Sequence, residues 1–249
     1  MLILKSSKEI ELMRESGKIL YAVMQSLIKN VRPGITTQFL DEVAKKEVLK
    51  YNASCSFKGY EGYPANICTS INEEIVHGIP SSDRILKEGD IIGIDAGVIF
   101  KGYHSDMART LPVGKISSEA KHLIDTGKKC FFDGISQFME GNRLYDISSA
   151  IEKTARENGY AITKELTGHG IGKSLHEDPS IPNYKPAGFG VRLKVGMTLA
   201  IEPMINAGAA PVKWERNGWT VRTADRSLST HYENTVALTD NGVIILTAP

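Results

Sequence analysis

"LKEGDIIGID" (86–95) and "LKVGMTLAIE" (193–202) are two versions of one pattern. Leu, Lys, Gly and Ile recur in register, and each stretch ends on an acid, Asp95 or Glu202. Downstream, His-Ser-Asp (104–106) has its counterpart in His-Tyr-Glu (231–233), again with an aspartate facing a glutamate. Two matches in the same order, each with an acid in the same place, argue for an internal duplication. The flanking segments agree. Residues 7–30 carry apolar positions at helical spacing (Ile10, Met13, Gly17, Leu20, Met24, Leu27, Ile28), with Ser7 expected as N-cap. Arg32-Pro33-Gly34 breaks the chain, and 36–51 reads as a second helix. Residues 54–80 read as short strands and loops, and 90–113 as two apolar strands around the turn "FKGYH". Helices are predicted again over 117–139 and 144–158, followed by strands with long loops. The expectation is one domain over 1–249, built from repeats at roughly 7–115 and 117–249. The second pair of matches is spaced about twenty residues wider than the first, which puts an extra loop within 207–226.

Bulk properties narrow the function. Hydrophobic content of 41% and charge of 24% are those of a globular protein. A net charge of +1 steers the chain toward neither nucleic acid nor acidic membranes. Three cysteines, Cys55, Cys68 and Cys130, form no CxxC pair and read as reduced thiols of a cytoplasmic protein. The apolar start of "MLILKSSKEIELMRESG" is too short for a signal peptide, and no apolar run spans a bilayer.

The repeat singles out four acids, Asp95, Asp106, Glu202 and Glu233. Asp95 ends the run Ile91-Ile92-Gly93-Ile94, and Glu202 ends Leu199-Ala200-Ile201. Carboxylates among apolar strand residues need partners, because desolvating them is costly. A lone acid of this kind pairs most simply with Arg or Lys. If the halves pack about a pseudo-twofold, the four converge and cannot all stay ionised unaided. Two divalent cations would balance them. With one imidazole the donor set suits Mn, Fe, Co or Zn rather than a thiolate site. "LTGHGIGKSLHED" (166–178) supplies two histidines, His169 and His176, at the ends of a glycine-rich segment that is neither helical nor a zinc-protease motif.

At these residues the sequence resembles the type I methionine aminopeptidases. The matching stretches are "GYEGYPANICTSINEEIVHGIP", "GDIIGIDAGV", "GYHSDMARTLPVG", "TGHGIGKSLHEDP", "GMTLAIEPMIN" and "YENTVALTDNG", spread over essentially the whole chain. The resemblance implies a pita-bread fold of the α+β class, with two pseudo-twofold-related halves around a curved, mainly antiparallel sheet. It implies two divalent metal ions held by Asp95, Asp106, His169, Glu202 and Glu233, with Asp106 and Glu233 bridging. It implies that His176 donates to the scissile carbonyl oxygen and that His77 lies near the scissile amide. Metal-activated water would attack the carbonyl carbon, with Glu202 the candidate to handle its proton. Tyr60, Tyr63, Cys68 and Trp219 match the methionine pocket, where a soft, flexible thioether is favoured. The expected activity is removal of the initiator methionine from nascent chains whose second residue is small and uncharged, by a cytoplasmic monomer. His104 and His231 read as packing or supporting neighbours of the ligands.

Four positions depart from the family pattern: Leu175 where an aromatic is common, Gly97 where Thr or Ser is frequent, and Glu61 and Asn234 where His is common. None is a ligand. Prolidases and X-Pro aminopeptidases share the five ligands but carry an N-terminal domain, for which a chain whose motifs begin by residue 60 leaves no room. Type II enzymes carry a helical insertion that the spacing from His176 to Glu202 does not accommodate. A non-enzymatic binding protein should have lost ligands, and a nucleic-acid enzyme should show a basic groove. Residues 207–226 carry Lys213, Arg216, Arg222 and Arg226 against Glu215 and Asp225. Such a loop suits a transient contact with ribosomal RNA, or simply a solvated loop that positions Trp219.

Overall fold

A computed structural model describes residues 2–249. Among the described residues, two pairs of α-helices are each followed by a run of strands. Helix α1 spans Ser7–Asn30, α2 Thr37–Leu49, α3 Ser118–Ile135 and α4 Leu144–Glu157. The expected helices are thus present, each shorter than or equal to its predicted span. The cap of α1 is corrected from Ser7 to Ser6. Ser6 Oγ accepts from Glu9 N–H, and Glu9 Oε2 accepts from Ser6 N–H at 2.9 Å. A capping box needs its acid three residues after the cap, and Ser7 would find Ile10 there.

Strand alternation decides which residues face the site. In Ile91–Phe100, Ile92, Ile94, Ala96 and Val98 pack with Leu20, Met24, Leu27, Leu40, Ala44 and Val48 of α1 and α2. Asp95 and Gly97 therefore point to the opposite face. The partner strand Tyr103–Pro112 turns back through Lys101 and Gly102, both at positive φ, as a tight hairpin requires. Its pairing sets Asp106 opposite Gly97 and Ala108 opposite Asp95, so both aspartates share one face. In the second half, Leu199, Ile201, Val236 and Leu238 pack with Leu123, Phe131, Ile147 and Ile151 of α3 and α4. That leaves Glu202 and Glu233 on the other face, the face of Ala200 and Ala237. Each fully buried aliphatic side chain of this kind contributes ~1.5–3 kcal/mol.

The halves meet along a polar seam. Glu233 N–H donates to Ala108 O at 3.0 Å. Thr235 Oγ1 accepts from Asp106 N–H at 2.8 Å and donates to Asp106 O at 3.0 Å. The Arg109 guanidinium lies 4.0 Å over the Tyr232 ring and donates to Glu233 O and to Asn234 Oδ1. Residues 207–226 contain a hairpin, Val212–Trp214 with Val221–Thr223, which pairs with Glu74–Val76 of the first half. Among the described residues, no helix is long and apolar enough to cross a membrane.

Candidate metal centre and its pocket

Strands and the loops that join them deliver side chains to one cavity of about 120 Å³. All eleven residues expected at the site line it, and Phe57, Glu61 and Leu175 complete the wall. One end is acidic. His169 Nε2 lies 3.9 Å from Asp106 Oδ2 and 3.6 Å from Glu202 Oε1. Ligand atoms of Asp106, His169 and Glu233 fall within 4.8 Å of one another, close enough to hold one metal ion. Asp95 and Glu202 line the same cavity beside them.

Three glycines make the His169 segment possible. A Cβ on Gly168 would stand 2.5 Å from Ala200 O, and one on Gly170 would stand 2.1 Å from Asp178 O. Without side chains there, strand Thr167–Gly170 fits between its neighbours and the imidazole is carried among the acids. At Gly172 a Cβ would meet Lys5 Cε and Glu177 Oε1, each at 2.5 Å.

Hydrogen bonds fix both imidazoles. His169 Nδ1 sits 2.8 Å from Gly170 O. A carbonyl only accepts, so Nδ1 carries the proton and Nε2 presents a lone pair to the carboxylates. Burial lowers the His169 pKa to about 3, which keeps the ring neutral. His176 Nδ1 lies 2.7 Å from the Tyr60 hydroxyl, whose pKa is raised by burial. With the His176 proton on Nε2, the phenol donates to Nδ1 and Nε2–H is left as a donor. Burial also lowers the His176 pKa. The two rings are 4.3 Å apart.

The acids are in the opposite condition. Burial raises Asp95 to about 6 and raises Asp106, Glu202 and Glu233 well above the usual carboxylate range, with mutual repulsion adding for Asp106 and Glu233. Among the described residues, the ion-pair partners of Asp106, Glu202 and Glu233 are imidazoles, not Lys or Arg. Asp95 Oδ1 and Glu233 Oε1 are buried with no hydrogen-bond partner. Buried, unpaired carboxylate oxygens beside a neutral imidazole lone pair fit divalent cations in their donor chemistry.

The other end is apolar. Tyr63 and Trp219 meet edge to face at 5.0 Å, and Tyr63 donates within reach of Ile67 O and Gly78 O, both at 3.1 Å. Cys68 is buried, and burial raises its thiol pKa. His77 adopts φ 59°, a strained value for a non-glycine residue. It is held by Thr220 Oγ1 donating to its carbonyl at 3.2 Å. Burial lowers its pKa to about 4.

Of the histidines read as supporting, His104 bonds Ser56 Oγ through Nδ1 at 2.9 Å. His231 lies deeper among the acids, with Nε2 3.3 Å from Glu202 Oε2. One contributor to the wall, Phe57, escaped the sequence reading. A Cβ on Gly97 would stand 2.8 Å from the Phe57 ring and from Ser56 Cβ, so Gly97 admits Phe57 to the wall. Trp219 arrives on the hairpin that crosses to the first half, where Arg222 pairs with Glu215 and Arg226 with Glu73.

A profile of metallopeptidase family M24 matches residues 11–240. A methionine aminopeptidase of Clostridium acetobutylicum is 53% identical over 247 residues, 99% of each chain. The crystal structure of a methionine aminopeptidase from Thermotoga maritima superposes with a TM-score of 0.98 at 38% identity, covering 100% of both chains. A prolidase from Pyrococcus horikoshii superposes at 0.80 with 22% identity and is covered over 64% of its length, a likeness of fold alone. The chain has the pita-bread fold and belongs to metallopeptidase family M24, among its methionine aminopeptidases.

Proposed function

We propose that this chain removes the N-terminal methionine from peptides and nascent chains whose second residue is small and uncharged. One observation carries the reading: four repeat-related carboxylates, a neutral imidazole lone pair and an oriented imidazole donor share a cavity whose far end is apolar and aromatic. Asp95, Asp106, His169, Glu202 and Glu233 would hold two divalent cations, of Co, Mn, Fe or Zn, with Asp106 and Glu233 shared by both ions. Bound there, such ions supply Lewis acidity and a lowered water pKa. The protein does the rest. Tyr63, Cys68, Trp219, Phe57 and Leu175 enclose the thioether side chain. His176 Nε2–H, set by Tyr60, donates to the carbonyl oxygen as charge develops there. Glu202, beside His231, takes the proton of the attacking water and delivers it to the leaving amine. His77 lies on the side of the leaving amine. The catalytic unit is the whole span 1–249 acting as a cytoplasmic monomer. Of the basic residues of 207–226, Lys213 and Arg216 are exposed and would be available for a transient ribosome contact, whereas Arg222 and Arg226 pair with Glu215 and Glu73.

The test is hydrolysis of Met-Ala-Ser by chelated and then metal-reconstituted protein, with Leu-Ala-Ser, Ala-Pro and N-acetyl-Met-Ala-Ser as controls. Metal-dependent release of methionine from the unblocked peptide alone is the expected result. Cleavage of Ala-Pro would move the chain to the proline-specific branch, and silence on every substrate with metal bound would refute the enzyme reading.

A further inference from the structure

The segment 171–176 joins strands Thr167–Gly170 and Glu177–Pro182, with His169 just before it and His176 at its end. Against this loop lies an ion pair that the chemistry above does not use. Lys5 Nζ contacts Glu177 Oε2, and the two side chains are only 4% and 7% exposed. Lys5 belongs to the extended arm ahead of α1. Its N–H donates to Gly196 O at 2.7 Å, and its ammonium donates to Ile3 O at 3.2 Å. The second oxygen of Glu177 accepts from Ser174 N–H at 3.3 Å. Gly172, with no side chain, leaves the space that Lys5 Cε and Glu177 Oε1 occupy. The Gly172 carbonyl accepts from His104 N–H at 2.8 Å, so the first half holds the loop as well.

A buried charge that loses its partner is costly, so the ion pair ties the arm to the end of the loop. Glu177 adjoins His176 in the chain. We infer that Lys5 is a positioning residue for His176: through Glu177 it fixes the loop that holds the imidazole against His169 and the Tyr60 hydroxyl. The inference rests on the reading of His176 as donor to the scissile carbonyl.

Lys5→Met keeps the unbranched stem of the side chain and removes its ammonium group. In the metal-loaded full-length protein, with folding and metal content checked, kcat for Met-Ala-Ser falls about 10- to 100-fold, the scale on which small misplacements act. KM stays within about twofold, as befits a transition-state contact. In a His176→Ala background the same substitution changes kcat by less than about twofold, because the residue it acts through is gone. Gly172→Ala, whose methyl displaces the Lys5 stem, gives the same two results. An unchanged kcat in Lys5→Met, or a full loss repeated in the His176→Ala background, overturns the inference. So does failure of both Lys5→Met and Gly172→Ala to fold, which assigns the pair to folding alone. A fully active His176→Ala single variant would instead overturn the underlying reading of His176.

Discussion

Single residues set the protonation state of the centre before any ion arrives. Asp95, raised to about 6 by burial, and the other three acids, also raised, hold protons in the metal-free protein more tightly than ordinary carboxylates do. His169, lowered to about 3, is already neutral. Cation binding therefore expels protons from the acids and none from the histidine, and affinity falls as pH falls. Calorimetric titration at pH 6.5 in two buffers of different ionisation enthalpy should report net proton release; zero release would contradict the raised carboxyls. The stability of the metal-free protein is a poorer probe. Raised carboxyls favour the fold below about pH 4 and lose that contribution as pH rises through their folded values. Lowered histidines favour it above about pH 6.5 and lose theirs on acidification, so the two sets oppose each other in between. A second prediction concerns Gly97, where a new side chain meets the Phe57 ring at 2.8 Å. Gly97→Ser should cost roughly 1–3 kcal/mol through overpacking. It should also raise KM for Met-Ala-Ser about tenfold. Urea unfolding and steady-state kinetics check both, and unchanged values would remove Phe57 from the wall. The ligand-type residues were legible because an acid in an apolar run is chemically conspicuous. Phe57 was not, since an aromatic beside a glycine distant in sequence looks like any core residue.

Elements carry the residues to the cavity through simple periodicities. Alternation in Ile91–Phe100 sends aliphatic side chains to α1 and α2 and Asp95 to the other side, which was readable from the sequence. Helix spans followed from apolar spacing, but the ends depend on local hydrogen bonds. The cap of α1 is the example. Ser6→Ala should destabilise the protein by about 0.5–2 kcal/mol, because it opens the capping box with Glu9, while Ser7→Ala should be close to neutral. Equal effects in urea unfolding would return the cap to Ser7. The hairpin within 207–226 was legible only as an insertion. Its pairing of Arg222 with Glu74 and Val221 with Val76 joins distant parts of the chain, and no local pattern announces such a partner. That pairing is what brings Trp219 to Tyr63.

At the scale of the whole molecule, we propose that an internal duplication sets where the site lies. Each half buries one helix-covered sheet face and leaves two acids on the other, and neither half alone can satisfy them. The repeat was visible because both copies keep their pattern of Leu, Lys, Gly, Ile and acid. The seam was not, because Thr235 bonding Asp106, and Arg109 capping Tyr232 and Asn234, are contacts between halves that have no counterpart within either. We propose that Asp106 from one half and Glu233 from the other jointly hold two ions. Metal content per chain after extensive dialysis, measured for the reconstituted parent, Asp106→Ala and Glu233→Ala, tests it most directly. The predicted result is a parent carrying two ions and two variants that carry none and release no methionine, and full occupancy in either variant would contradict it.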